Sequence, residues 1–424
     1  MDLEAAEVAI RSTVHQTGAD AMTELLRLSP PDDNHRRIPC PCGQVAGYEG
    51  MRSRPILTAV GWARVERPYY LCPACHSGQF PADVELDINK TDLSPAVRRM
   101  LAVVGGEAPF AQGRDQMQLL AGLEVTAKAV ERTAESIGED IANRQQKKIQ
   151  RAKQLCLPTV TGPPIPYLYI QMDGTQVFVV KTETEGRAGR TSGQPARTRE
   201  CKLGAVFTQT TVDDEGRPMR DEHSTSYVGA IENAEEFGLR IYTEAWDRGW
   251  ERAVVRIVMG DGSHWIWNIA DQHFPGALQI VDLYHAREHL WDLARKLNPT
   301  DEAAQKRWLM RKLEWLENGK IETLVSALRQ LADADPSSEL SKTIRTEAEY
   351  FEGNRERMRY PEFRKKNLFV GSGVIEAGCK TVIGRRLKQS GMFWTVQGAN
   401  AIIALRCCLL NGELEDYWAT RRAA

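Results

Sequence analysis

Three acidic residues set the chemical agenda of this chain. Asp173 follows the apolar run Tyr167 to Met172, Asp261 follows Val254 to Gly260, and Glu376 lies within Gly371 to Lys388. Carboxylates brought from separate elements can converge on hard divalent cations, and such cations activate water or a sugar hydroxyl against a phosphate. Singly, Asp173-Gly174 and Asp261-Gly262 read as turn dipeptides and Glu376 as a surface helix acid, so the case rests on their joint placement. A second set is Cys40, Cys42, Cys72 and Cys75. Two close cysteine pairs on turns with strands between them suit tetrahedral Zn2+ in a ribbon, although Cys40-x-Cys42 is one residue shorter than the usual pair and leaves His35 or His76 as a substitute ligand. A third motif, His285-Ala-Arg-Glu288-His289, matches the inverted zinc-peptidase signature, with Glu376 available as a distant third ligand.

The elements that must position these groups change character along the chain. Ala5 to Leu28 reads as an amphipathic helix and a candidate self-contact, and Thr58 to Tyr70 alternates like a β-hairpin. Ser94 and Pro95 open a helical region. Within it, Asp115 to Leu120, a turn at Gly122 and a helix from Thr126 to Ile137 have the form of a helix-turn-helix, packed by Leu119, Leu123, Val125 and Val130. Thr126, Lys128, Glu131 and Arg132 then face outward to read DNA. Strands are expected at Tyr167 to Met172, Val177 to Val180, Leu203 to Thr208, Val254 to Met259 and Ala277 to Val281, with a loop from Glu185 to Arg199. Helices are expected at Glu232 to Trp250, His285 to Leu297, Gly373 to Leu387 and Ala399 to Leu410, with an all-helical insertion over 300–365. Trp265, Trp267 and Trp394 read as core.

With 42% apolar and 26% charged residues the chain is globular, and its net charge of −2 hides three basic clusters. Arg144, Lys147, Lys148, Arg151 and Lys153 form the first, the six basic residues between Arg355 and Lys366 the second, and Lys380, Arg385, Arg386 and Lys388 the third. Three such clusters favour phosphate contacts. Lys380, one turn after Glu376, suits either a phosphate oxygen or an intrahelical ion pair. No apolar run approaches the ~20 residues of a membrane span and the start lacks a signal pattern, so the expectation is a cytoplasmic protein.

The segments QMDGTQV, VMGDGSHWIW, FPGALQIVDLYHAREHLW and GSGVIEAGCKTVIGRRLKQSGMFW resemble the DDE transposases of bacterial insertion sequences, most closely the Kra-type group. The element order β-β-β-α-β-α-β, helical insertion, α is similar to that of an RNase H-like fold. The resemblance implies an α/β RNase H-like catalytic core with a helical insertion, preceded by a zinc ribbon and a helix-turn-helix domain. It implies an N-terminal helix and linker over 1–36, the ribbon over 37–90, the DNA-binding helices over 91–158, the core over 159–298 and 366–424, and the insertion over 299–365. It makes Asp173, Asp261 and Glu376 ligands of two Mg2+ or Mn2+ ions. Asp282-Leu-Tyr-His285 resembles the C/D-x2-H signature of several such groups, which would set His285 near the carboxylates. The implied partners are double-stranded DNA, at transposon ends and target, and further copies of the chain, at least as a dimer on DNA, in a nucleoid-associated bacterial protein. The alternatives are a non-catalytic DNA-binding protein derived from a transposase and a zinc metallopeptidase built on His285, Glu288 and His289.

Overall fold

The computed structural model of the protein describes residues 2–189 and 196–421. Part of the expected loop from Glu185 to Arg199, residues 190–195, therefore lies outside the described residues. The chain divides into two compact units, one running through Ile137 and taking in the C-terminal segment from Glu413, the other running from Gly138 to Gly412.

In the first unit, Asp2 caps α1 (Leu3–Leu25) by accepting the Ala5 N–H. Strands β1 (Arg37–Pro39), β2 (Val45–Thr58), β3 (Gly61–Leu71) and β4 (Gly78–Gln79) then form an antiparallel sheet in chain order. The hairpin is larger than its alternating stretch suggests: Thr58 to Tyr70 supplies little more than one arm, and β2 is the other. Helix α2 (Pro81–Glu85) carries Asp83, which is buried and accepts from Arg67 at 2.8 Å and from Arg54 at 3.2 Å. Ser94 caps α3 (Pro95–Glu107) with Pro95 in its first turn, as the sequence predicts. Helix α4 (Phe110–Gln116) runs on through a π turn at Met117–Ala121 to Gly122, whose φ of +67° makes the left-handed reversal that glycine tolerates. Helix α5 (Ala127–Lys153) follows, far longer than a helix ending at Ile137. Leu123 and Val130 do pack this corner, with Val97, Leu101 and Met117, and Val125 packs at its edge. Leu119 does not. It is 75% exposed, two residues beyond the buried Met117 and so on the opposite side of the helical segment.

The second unit is a mixed α/β layer structure. Strand β5 (Ile165–Phe178) pairs antiparallel with β6 (Thr198–Gln209) from Tyr167 opposite Gln209 to Phe178 opposite Thr198. A small ribbon of β7 (Thr211–Val212) and β8 (Pro218–Met219) precedes β9 (Ser226–Ala230), which pairs antiparallel with β6. Helix α6 (Ala234–Asp247), capped by Asn233, leads to β10 (Ala253–Gly260). Then come α7 (His264–His273), β11 (Leu278–Val281) and α8 (Leu283–Leu297). The sheet order is β11-β10-β5-β6-β9, with β10 parallel to both β5 and β11. The expected second strand, Val177 to Val180, is not a separate one, since Val177 and Phe178 end β5 and Val179 makes an isolated bridge to Trp394; the third strand of the meander is the short β9, which the sequence reading missed.

Side-chain alternation explains how both sheet faces are covered. Gly204 of β6 approaches Ile241 and Phe237 of α6, while its neighbour Leu203 faces the opposite side. The insertion is helical throughout: α9 (Glu302–Glu317), α10 (Ile321–Asp333), α11 (Glu339–Gly353) and α12 (Tyr360–Lys365). The expected helix from Gly373 to Leu387 is α13 (Gly373–Gly378), a π turn at Cys379–Gly384, and α14 (Arg385–Leu387). Helix α13 lies on the Leu203 side, where a Cβ on Gly378 would stand 2.6 Å from the Tyr227 ring. Helix α15 (Val396–Leu410) completes this unit, and α16 (Leu414–Thr420) belongs to the first. No helix among the described residues is long and apolar enough to cross a membrane.

Candidate active site

Register places the first two acids. Strands β5 and β10 run parallel, their pairing ending with Met259 beside Gln171. Asp173, two residues further along β5, and Asp261, just past the end of β10, both face one cavity, and the Asp261 charge bears on Asp173. The Asp173-Gly174 pair is not a turn, since both residues pair with β6. Asp261 lies just beyond β10, where Gly262 takes a φ of +100° and the Asp261 carboxylate accepts from the Ser263 N–H at 2.8 Å and its hydroxyl at 3.0 Å. Asp282 follows β11, level with the end of β10, to which its N–H is bonded at Gly260.

Glu376 is delivered by a polar staple. Gln171 is wholly buried in β5, and its side-chain oxygen accepts the Ile375 N–H at 3.0 Å. Its amide nitrogen reaches the Met259 sulfur at 3.2 Å and the Gly371 carbonyl at 3.4 Å. The Ser372 hydroxyl bonds the buried Asp282 carboxylate and stands 3.3 Å from Glu376 Oε1. Asp173, Asp261, Asp282, His285, Glu288 and Glu376 consequently line one cavity of about 480 Å³. Burial, seconded by the charge of Asp261, raises the Asp173 carboxyl above its ordinary range, against hydrogen bonds from Cys379 Sγ at 3.4 Å and the Gly174 N–H at 2.7 Å. Gln171, Ser372 and Cys379 carry no motif of their own, so their positioning roles were not legible.

Of the peptidase motif, His285 lines this cavity but His289 does not. His289 Nδ1 stands 2.7 Å from Glu347 Oε2, and its ring stacks on Tyr350 at 4.0 Å. Among the described residues no third ligand closes on the two histidines.

The cysteines are a separate centre. The Sγ atoms of Cys40, Cys42, Cys72 and Cys75 all lie within 4.8 Å of one another, with pairs at 3.6 and 3.7 Å. Zn–S bonds of ~2.3 Å require tetrahedral edges of about 3.8 Å, so the spacing fits zinc without a histidine. The Cys75 N–H, then that of Ala74, brings the Cys72 thiol down to about 7. For Cys40 the Cys42 N–H pulls the same way, but burial and the neighbouring thiols together push it up to about 12. A cation shared by the four sulfurs would favour the thiolate form of them all.

The basic candidates divide. Thr126 is exposed and caps α5 through the Ala129 N–H, Lys128 is exposed and paired with Glu131, and Arg132 is exposed beside a polar groove with Arg54, Lys90 and Thr133. Lys147, Lys380 and Arg385 are exposed, and Lys380 makes no ion pair with Glu376 among the described residues. Lys148 is paired with Asp247 at 2.8 Å. Lys388 is half-buried and bonded to the Thr175 hydroxyl. Arg386 is corrected: it is fully buried with its guanidinium over the Trp394 ring, so it is a core residue rather than a phosphate contact. In the second cluster Arg357 packs over Trp267 and Arg359 pairs with Glu322 and Glu356, so those cations hold the insertion together. The three tryptophans do not cluster. Trp265 meets Phe237, Trp267 bonds Asn354, and Trp394 meets Arg386.

The sequence matches no family model and no curated protein. Among solved structures the chain is similar to a Drosophila P element transposase strand transfer complex, at 8% identity over 80% of this chain and 84% of that one, with a TM-score of 0.27. A superposition this loose has no bearing on the chemistry.

Proposed function

We propose that the chain is a DNA transposase with an RNase H-like core, cutting and joining strands at a site formed by Asp173, Asp261 and Glu376. The observation that carries this reading is the convergence of three acids, far apart in sequence, on one cavity where β10 ends beside the middle of β5. The three-two-one-four-five strand order, with the meander on one side and two parallel strands on the other, supports the same core. Three carboxylates around one cavity would suit two divalent ions roughly 4 Å apart. Bound there, Mg2+ or Mn2+ would acidify a water or 3′-hydroxyl and stabilise the leaving oxygen. The protein's own part is to fix the ligands: the β5–β10 pairing brings Asp173 and Asp261 to one cavity, and Gln171 with Ser372 sets Glu376. His285, on the cavity wall, is placed to orient a ligand or meet the scissile phosphate.

The first test is Mg2+-dependent nicking of DNA carrying the sequences that flank the gene. Wild type should nick and Glu376→Gln should not. Nicking by neither would leave a DNA-binding protein without catalysis, equal nicking by both would remove Glu376 from the site, and activity that instead requires His289 would favour the peptidase.

The same proposal includes a zinc ribbon of Cys40, Cys42, Cys72 and Cys75, with Thr126, Lys128, Arg132, Lys147, Lys148, Lys380, Arg385 and Lys388 contacting DNA in an assembly of at least two copies. Metal analysis should find about one zinc per chain. Stripping it should expose the thiols and melt the β1–β4 sheet, because a small cluster of Cys40, Ala46, Tyr70 and Cys72 is a meagre core by itself. Protein free of zinc with this sheet intact would remove the ribbon from the proposal.

A further inference from the structure

Beyond the carboxylates themselves, we infer that Tyr350, in the helical insertion, is a positioning residue that fixes Asp261 for metal binding. The inference rests on the metal-site reading above. The Tyr350 hydroxyl donates to the backbone carbonyl of Asp261 at 2.9 Å. Its ring packs directly on the next residue, since a Cβ on Gly262 would fall 2.5 Å from it. Gly262 therefore supplies both the left-handed turn and the room for the ring, and Asp261 is held on three sides: by its strand, by Ser263 and by Tyr350.

Tyr350 is itself held. Its ring lies nearly parallel to the His289 imidazole, at 17° and 4.0 Å, and His289 Nδ1 is tied to Glu347 one turn before Tyr350 on α11. Asn354 accepts the Trp267 N–H at 2.9 Å and donates to the Tyr350 carbonyl at 3.0 Å, joining α11 to α7. The unused half of the peptidase motif acquires a role here: His289 is a stacking platform linking α8 to α11.

The functional weight follows from geometry. Two ions about 4 Å apart tolerate little ligand movement, and groups behind a metal ligand typically govern affinity by about 10–100-fold. Tyr350→Phe removes one oxygen and keeps the stack.

The experiment is a Mn2+ titration of the full-length, zinc-loaded protein by calorimetry, without DNA, on wild type, Asp173→Asn and Tyr350→Phe. A thermal melt of each protein runs alongside. Tyr350→Phe is expected to weaken Mn2+ binding about tenfold, with melting close to wild type. His289→Phe, which preserves a ring beneath Tyr350 but drops the Glu347 contact, should weaken it less. If wild type binds and Tyr350→Phe binds equally well, Tyr350 is merely structural and the inference falls while the metal site stands. If wild type and Asp173→Asn bind alike, the metal-site reading falls and takes the inference with it.

Discussion

Asn in place of Asp173 is expected to abolish cleavage and to stabilise the metal-free protein at once. Loss of a carboxylate ligand should lower Mg2+-dependent nicking by at least about a hundredfold, more than the loss of a group behind a ligand. The stability effect has the opposite sign because burial, with the Asp261 charge behind it, disfavours the ionised Asp173 carboxylate. Its folded-state pKa lies above the unfolded value, so at neutral pH the ionised group costs the folded state free energy. That cost is relieved as pH falls through the folded pKa and is gone below the ordinary value of 3.8. Asp173→Asn should therefore melt higher than wild type at pH 7 without metal, and the gap should close as the pH approaches 4. Added Mg2+ should raise the wild-type midpoint only, since only a group that binds the folded form shifts it. Wild-type nicking by the variant would count against Asp173 as a ligand, and a midpoint below wild type in chelator would count against the burial cost of its carboxylate.

The second large effect belongs to Arg406. It is 2% exposed in α15, and its guanidinium donates to the carbonyls of Val382 at 2.7 Å and Thr381 at 2.5 Å. Both lie in the π turn, where the ordinary helical ladder is interrupted. Arg406→Met keeps most of the side-chain volume and leaves the buried Val382 carbonyl and the part-buried Thr381 carbonyl without these donors, at up to about 1–3 kcal/mol each. The midpoint of thermal unfolding should fall by roughly 5–15 °C, given ~2–4 °C per kcal/mol for a domain of this size. Nicking should decline with it, because Glu376 enters the same helical segment. A midpoint within a degree or two of wild type would mean that the turn is held by other contacts.

How far the sequence could be read differs by element. The acids and the order of the later elements were legible because β10, flanked on both sides, is an unbroken apolar run apart from Arg256, and because α6 and α8 repeat their apolar positions at helical spacing. The meander was not. Asp173-Gly174 imitates a break although β6 bonds straight across it, and β9 has only five residues, one of them glycine. Arg386 looks like a surface cation because a basic run carries no sign of a tryptophan waiting inside. Gln171 reads as the polar end of a strand, whereas it serves two backbone partners that a residue-by-residue pattern never sees.

The π turn between α13 and α14 explains one further feature of this chain. An α-helix advances ~100° per residue, and a wider turn absorbs one extra residue, so everything beyond it is rotated by about that angle relative to a regular helix. Beyond it Arg385 and Arg386, adjacent and so about 100° apart on α14, go one to solvent and one to the interior. The buried positions Ile375, Gly378, Val382, Ile383, Arg386 and Leu387 nevertheless keep spacings of three and four through the turn, so one stripe runs the length of the segment. Side-chain changes within Cys379–Gly384 alter packing, whereas gaining or losing a single residue there would turn the basic face of α14 away from its present heading and leave Glu376 where it is.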